Sequence, residues 1–130
     1  MKALVASNDS RVRAWVRMAL GPAFQVLEAS DGLEARRLAE TDAPELMIAD
    51  ETMERYGAFG LARDVKLTAK PPAVIIVLER EQDAWLARWS GADRWFVRPL
   101  DPFALAEAAR ELTEAPARRV AARMTKEGTA

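Results

Sequence analysis

Short apolar runs alternate with helix-like segments along the whole chain, and this alternation restricts the possible folds more than any other feature of the sequence. Each run is four to six residues long, which suits a buried strand, and a segment with apolar residues at helical spacing follows it. Strands that alternate with helices favour a parallel sheet. The pattern therefore predicts an α/β domain of five strand–helix units, with strands at residues 3–6, 24–27, 45–49, 73–78 and 94–97.

The helices and the domain boundary follow from the same pattern. Helices are expected to follow each strand, and the last one begins at Asp101-Pro102, with Phe103 and Leu105 on its inner face. Residues 1–113 are predicted to form one domain. Residues 114–130 are rich in Ala and Arg and are expected to be a frayed helix or a disordered tail.

The composition excludes several classes of function. With no Cys and no His, the chain has no thiol nucleophile, no imidazole metal ligand and no Ser–His–Asp triad. The 19 basic and 20 acidic residues nearly cancel, which disfavours nucleic acid as a partner. No apolar run approaches the roughly 20 residues that span a bilayer, and no secretory segment opens the chain. We therefore expect a cytoplasmic protein with no membrane or nucleic-acid partner.

Candidate functional residues lie just after the predicted strands. Ligands of open parallel sheets bind at the carboxyl ends of the strands. Ser7, Asn8 and Asp9 follow the first strand, Asp50 the third and Arg98 the fifth. Ser7 to Asp9 also has the composition of a helix cap, and that simpler role is the preferred interpretation of these three residues.

Four stretches, in order and at matching spacing, resemble the response-regulator receiver (CheY-like) family. They are residues 2–9 with Arg13, residues 44–50 with Met53, Pro72 before the fourth strand, and residues 91–100, Gly-Ala-Asp-Arg-Trp-Phe-Val-Arg-Pro-Leu. The resemblance covers about residues 1–113. It implies a flavodoxin-like (βα)5 fold, a doubly wound parallel sheet with strand order 2-1-3-4-5. Residues 83–90 further resemble a small group of degenerate single-domain receivers.

The resemblance also implies a set of site residues, most of which depart from the family. Receivers use a phosphoacceptor Asp, an acidic pair that binds Mg²⁺, a switch Thr or Ser, a Lys that grips the phosphoryl group, and a mobile aromatic residue. Asp50 falls on the phosphoacceptor position. At the other positions, Ser7 and Asn8 replace the acidic pair, Leu78 the switch hydroxyl and Arg98 the Lys, and Trp95 takes the aromatic position.

These replacements weaken the expected phosphoryl chemistry. One carboxylate with two neutral oxygens holds Mg²⁺ far less well than three carboxylates, so we expect no cofactor. If a metal binds, Asp50, Asn8 and Asp9 are its predicted ligands. Other acids in the neighbouring loops could in principle replace the missing metal ligands; these are Asp9, Glu51, Glu54 and Glu79. This is disfavoured, because acidic side chains in loops are usually solvated. Arg98 keeps a positive charge and is expected to form a standing ion pair with Asp50.

The predicted function is that of an atypical single-domain receiver, not an enzyme, acting by protein contact largely independent of phosphorylation. Only about 17 residues follow the last helix, so no output domain is expected. Leu86 and Trp89 are predicted to point outward, and Trp85 toward the sheet. The former pair would form a partner or homodimer patch on the face made by the fourth helix, fifth strand and fifth helix.

Two alternatives stay open at this point. In the first, the chain is a working receiver phosphorylated at Asp50 by a histidine kinase or a small acyl phosphate, with Mg²⁺ as its cofactor. In the second, less favoured, it is a small flavodoxin-like enzyme or nucleotide binder, which would need a Gly-rich loop that residues 7–10 lack. The identity of the partner, the upstream sensor and the oligomeric state are not readable from the sequence.

Overall fold

Five parallel strands form one sheet in a computed structural model that describes residues 1–114 of the chain. The spatial order of the strands is β2-β1-β3-β4-β5, as the resemblance implied. The fold prediction is confirmed. The strands are β1 (Lys2–Ala6), β2 (Gln25–Ala29), β3 (Leu46–Asp50), β4 (Ala73–Leu78) and β5 (Arg94–Val97).

A helix follows every strand, and two short 3₁₀ turns, Gly21–Ala23 and Glu81–Asp83, lie between elements. The strand predicted at 45–49 is shifted by one residue, so that Asp50 is its last member and pairs with Val77 of β4. The helices are α1 (Ser10–Leu20), α2 (Gly32–Asp42), α3 (Ala58–Lys66), α4 (Ala84–Ser90) and α5 (Pro102–Glu114).

The helices cover both faces of the sheet, which explains why the central strands are apolar throughout. Alternate residues of β1, β3 and β4 belong to two separate buried clusters, one on each face. Helices α2, α3 and α4 contribute to one cluster, and α1 and α5 contribute to the other. All residues of β3 and β4 are buried. The sheet is therefore a rigid platform whose strand ends are held in fixed register.

Two aromatic side chains face the opposite way from the prediction. Trp85 is 63% exposed, because Ala84 and Ala87 of α4 pack toward the sheet. Residues two apart on a helix differ by about 200°, so Trp85 and Ala87 could not both face inward. Phe103 is 84% exposed for the same reason, since it lies two residues before the buried Leu105.

The predicted tail begins at residue 114, and the part of it after Glu114 lies outside the described residues. Within residues 1–114, no helix has the length and apolar character needed to cross a membrane.

Candidate functional site

The candidate site lies where the strand order reverses. Strand β1 is flanked by β2 on one side and β3 on the other, and Ala6 pairs with Ala49. The residues that follow this pair, Ser7 and Asp50, are therefore neighbours at the carboxyl edge of the sheet. Ser7 and Asp50 are 0% and 2% exposed, so this polar pair is buried.

Asp50 accepts four hydrogen bonds, two on each carboxylate oxygen. Oδ2 accepts from Ser7 Oγ at 2.8 Å and from Arg98 Nη2 at 2.7 Å. Oδ1 accepts from the backbone N–H of Thr52 at 3.1 Å and from Thr52 Oγ1 at 2.9 Å. The buried carboxylate is thus fully hydrogen-bonded by groups of the protein itself.

The predicted Asp50–Arg98 ion pair is confirmed. Arg98 follows β5, and its backbone N–H donates to the carbonyl oxygen of Leu78 at 3.0 Å, which places the side chain beside β3. The pair uses a single guanidinium nitrogen rather than the bidentate geometry open to an arginine, because Thr52 engages the other carboxylate oxygen. Arg98 Nε is buried and has no hydrogen-bond partner among residues 1–114.

Two opposing effects set the acidity of Asp50. Burial raises the pKa of the carboxyl group, but hydrogen bonds from Arg98, Ser7 and Thr52 stabilise the anion and together hold the pKa below its ordinary value. Asp50 is therefore ionised at neutral pH, and its charge is offset by Arg98.

Thr52 is the site residue that sequence reasoning missed. Its hydroxyl and its backbone N–H both bind Oδ1 of Asp50. A Thr two residues after an Asp is a recognisable signal, because Asp side chains commonly accept a hydrogen bond from the backbone two residues on. That signal gives the local turn, but it does not show that the turn closes over a buried pocket.

Asn8 and Asp9 lie near the site without contacting Asp50. Asn8 connects two loops: Nδ2 donates to the carbonyl oxygen of Ser30 at 2.5 Å, and Oδ1 accepts from the backbone N–H of Glu54 at 2.6 Å. Asp9 is the N-cap of α1 and accepts from the backbone N–H of Arg11 at 2.9 Å. The cap interpretation is confirmed for Asp9, and the side-chain oxygens of Asn8 and Asp9 that a metal would need accept hydrogen bonds from Glu54 and Arg11 instead.

The residues present do not fit a magnesium ion. Both oxygens of Asp50 are occupied, and the guanidinium of Arg98 is 2.7 Å from Oδ2, where its charge would repel a cation. Glu51 instead accepts a hydrogen bond from the backbone N–H of Glu79 at 2.6 Å, and burial together with the carboxylates of Asp83 and Glu79 raises the pKa of Glu51. In the part of the chain from 1 to 114, no three Asp or Glu side chains converge as metal ligands would.

The two remaining switch positions are apolar or aromatic. Leu78 has no hydroxyl to offer a phosphoryl group. Its side chain is fully buried in the cluster between the sheet and helices α2 to α4. Trp95 is half-buried against the same cluster, and the guanidinium carbon of Arg88 lies 5.8 Å from the centre of its ring. The contact with Arg88 adds a cation–π interaction to the ring.

The predicted partner patch on α4 is only partly as expected. Trp89 is 53% exposed, as predicted, and Arg63 of α3 lies 4.5 Å above its ring centre. Leu86 is half-buried rather than fully outward. Trp85 and Trp89, one helical turn apart, therefore form the exposed aromatic surface, which we call the α4 tryptophan surface.

Several known proteins similar to this chain are named as response regulators. The chain is 30% identical over 126 residues to an uncharacterized response regulatory protein of Mycobacterium tuberculosis strain H37Rv, and the match covers 90% of this chain and 94% of that protein. A putative response regulator from Chloroflexus aurantiacus has a similar structure, with a TM-score of 0.81 at 17% identity, covering 87% of this chain and 97% of that one. For the chemotaxis response regulator CheY4 of Vibrio cholerae the TM-score is 0.78 at 22% identity, covering 85% and 97%. These structural matches show the fold; no protein-family model matches the chain.

Proposed function

The chain belongs to the response-regulator receiver family of two-component signalling, and from this premise we propose that it is an atypical, non-enzymatic receiver that signals in the cytoplasm by docking to a protein, largely independent of phosphorylation. The observation that carries the proposal is the state of Asp50. Its carboxylate is buried, ionised and occupied by four hydrogen bonds, one of them from Arg98.

Phosphorylation of such a carboxylate faces two obstacles. An attacking oxygen must first give up hydrogen bonds to the ionised carboxylate, and such bonds contribute about 1.5–3 kcal/mol each. An incoming phosphoryl group also needs positive charge that is free to stabilise it, and catalysis of phosphoryl transfer consists almost entirely of positioning and charge stabilisation. Arg98 already pairs with Asp50 through Nη2, so on this side its charge is shared with the carboxylate before any phosphoryl group arrives.

The same ion pair supports a fixed rather than a switched pocket. Because Arg98 holds Asp50 without any phosphate, the carboxyl edge of the sheet needs no covalent input to stay in one arrangement. Leu78 supports this proposal as well, since a buried leucine cannot donate a hydrogen bond to a phosphoryl oxygen and so cannot pull a loop toward it.

The output of the proposed module is a protein contact through the α4 tryptophan surface. Trp85 and Trp89 expose more than half of their area, and tryptophan is strongly enriched among residues that dominate binding at interfaces. Their position alters the expected face: Trp89 stacks under Arg63 of α3, so the surface extends toward α3.

A direct test is treatment with acetyl phosphate, or with beryllofluoride, in the presence of Mg²⁺. We expect no added phosphoryl mass in the intact protein and no change in tryptophan fluorescence. A suitable control restores the family residues at four positions, Ser7→Asp, Asn8→Asp, Leu78→Thr and Arg98→Lys, and checks that the assay detects a competent pocket. A saturable response of the unaltered protein that is lost in Asp50→Asn would establish the working phosphoacceptor instead.

The docking surface is tested by a photocrosslinking amino acid at position 89 in cells. We expect a crosslinked adduct, to a partner or to a second copy of the chain, that is absent when the same group is placed at Leu33. Leu33 on α2 is a matched control because its exposed fraction, 51%, is close to the 53% of Trp89. Equal crosslinking at both positions would contradict docking through this surface.

A further inference from the structure

A cleft of about 650 Å³ opens on the other side of Arg98, between the first turn of α1 and the loop that joins β5 to α5. Its apolar walls are Val12, Trp15 and Leu100, and its charged lining consists of Asp9, Arg11 and Arg98. This volume lies within the range of about 300–1,000 Å³ that small-molecule sites occupy. None of the functions described so far uses the cleft.

Arg98 presents hydrogen-bonding capacity to this region that the ion pair does not consume. A guanidinium carries five N–H donors. Within residues 1–114, its hydrogen bonding is limited to Nη2 donating to Asp50, and Nε is buried without a partner. The Arg98 side chain is 33% exposed and lines the cleft, so its remaining guanidinium N–H groups can donate to an acceptor there.

The charges of the lining favour an anion. Arg11 and Asp9 pair with each other, with Nη2 3.3 Å from Oδ2, so Arg98 is the lining cation that has no carboxylate of the lining beside it. Asp50 is 2% exposed and lies behind Arg98, so it does not line the cleft. The planar guanidinium fork matches an oxyanion with two oxygens, and the ring of Trp15 offers a flat apolar surface to an aromatic group.

We propose that this cleft is a binding site for a small aromatic carboxylate, whose oxyanion pairs with Arg98 and whose ring lies against Trp15, Val12 and Leu100. Because Arg98 also pairs with Asp50, such a ligand contacts the same residue that holds the Asp50 carboxylate in place. The proposal goes beyond the docking function and does not depend on which partner the α4 tryptophan surface binds.

The probe for the test is 2-naphthoate, with two comparison compounds that each lack one feature. 2-Naphthalenemethanol keeps the ring without the charge, and acetate keeps the charge without the ring. We expect 2-naphthoate to bind saturably in calorimetry and at least about tenfold more tightly than either comparison compound, since a charge-assisted hydrogen bond and ring burial each contribute on that scale. In ¹H–¹⁵N spectra, the indole N–H of Trp15 should shift, while those of Trp85 and Trp89 should not.

Two variants separate the cleft from adventitious binding. Val12→Trp fills the cleft with a side chain and leaves its charges in place, so it should abolish binding; Leu33→Trp, an equivalent change at an exposed position of α2, should not. Both variants are checked for a cooperative unfolding transition. The proposal is overturned if 2-naphthoate fails to saturate, if the neutral compound binds equally well, or if Val12→Trp retains affinity. These outcomes leave the phosphorylation and crosslinking tests unaffected, so the two proposals fail independently.

Discussion

The Asp50–Arg98 pair makes a quantitative prediction about stability that a double-mutant cycle measures. The variants are Asp50→Asn, Arg98→Met and the combination; methionine is chosen because it retains much of the aliphatic stem of arginine. A cycle isolates the interaction between the two side chains from the other contacts that each of them makes.

The structure sets the expected magnitudes. Hydrogen bonds to charged groups contribute about 1.5–3 kcal/mol, but the Arg98 side chain is 33% exposed, which reduces the coupling to about 1–2 kcal/mol. Arg98→Met should lower the free energy of unfolding by about 1–2 kcal/mol, because Ser7 and Thr52 still hydrogen-bond the remaining carboxylate. Asp50→Asn should cost about 3 kcal/mol, because it leaves a charge and several donors unmatched.

The assay is urea unfolding followed by circular dichroism, with the four proteins of the cycle compared at pH 7. The matched control is a cycle on Arg94 and Glu111, a pair with an N···O distance of 2.9 Å and side chains that are 48% and 49% exposed. That exposed pair should couple by less than about 1 kcal/mol. If the effects at positions 50 and 98 add within about 0.5 kcal/mol, or couple no more than the control, then the pair does not hold the pocket and the reasoning is refuted.

Four further predictions concern the surroundings of the pair. Thr52→Val should destabilise the fold by about 1–2 kcal/mol in urea, because it removes the hydroxyl bond to Oδ1 of Asp50 and keeps the backbone one. The pKa of Asp50 is lower in the folded than in the unfolded state, so the ionised carboxylate stabilises the fold fully above the unfolded pKa. This stabilisation is lost as the pH falls through the folded pKa. Unfolding free energies measured across the acid range should show this loss, and those of Asp50→Asn should lack it. Asn8→Ala should speed hydrogen exchange at the backbone N–H of Glu54, at a cost of about 1 kcal/mol. Gly32→Ala should cost about 2–3 kcal/mol in urea, because its Cβ would meet the backbone of the β3–α3 loop.

Each of these outcomes has a clear opposite. Unchanged stability of Thr52→Val would mean that the hydroxyl contact contributes nothing, with Thr41→Val on α2 as a control. An Asp50→Asn protein with the same acid-range slope as the unaltered chain would place the titrating group elsewhere. Exchange that is equally fast in Asn8→Ala and the unaltered chain would show that the loop is held by other contacts, and a neutral Gly32→Ala would show that the loop yields easily.

Much of this protein was readable from the sequence because the relevant signals are local. The apolar runs that became β4 and β5 were predicted to the residue, since hydrophobic length and flanking Gly or Pro residues act within a few positions. The parallel architecture followed from the alternation of strands and helices. The strand order and the correspondence of Asp50 and Arg98 came from the family resemblance, whose motifs lie at these same strand ends.

Tertiary structure alone decided which of the residues after β1 meets Asp50. Ser7 reaches it, whereas Asn8, adjacent to Ser7 in the chain, turns away to join two loops. Consecutive residues after a strand leave in different directions, and their partners come from segments more than 20 residues away, so spacing cannot predict the contacts. The orientation of Trp85 was different, because residues two apart on a helix cannot both face the sheet and Ala87 takes the inward position. Local sequence patterns determine the strands. The hydrogen-bonded site forms only when β1, β3 and β5 lie in one sheet, because this brings Ser7, Asp50 and Arg98 within hydrogen-bonding distance.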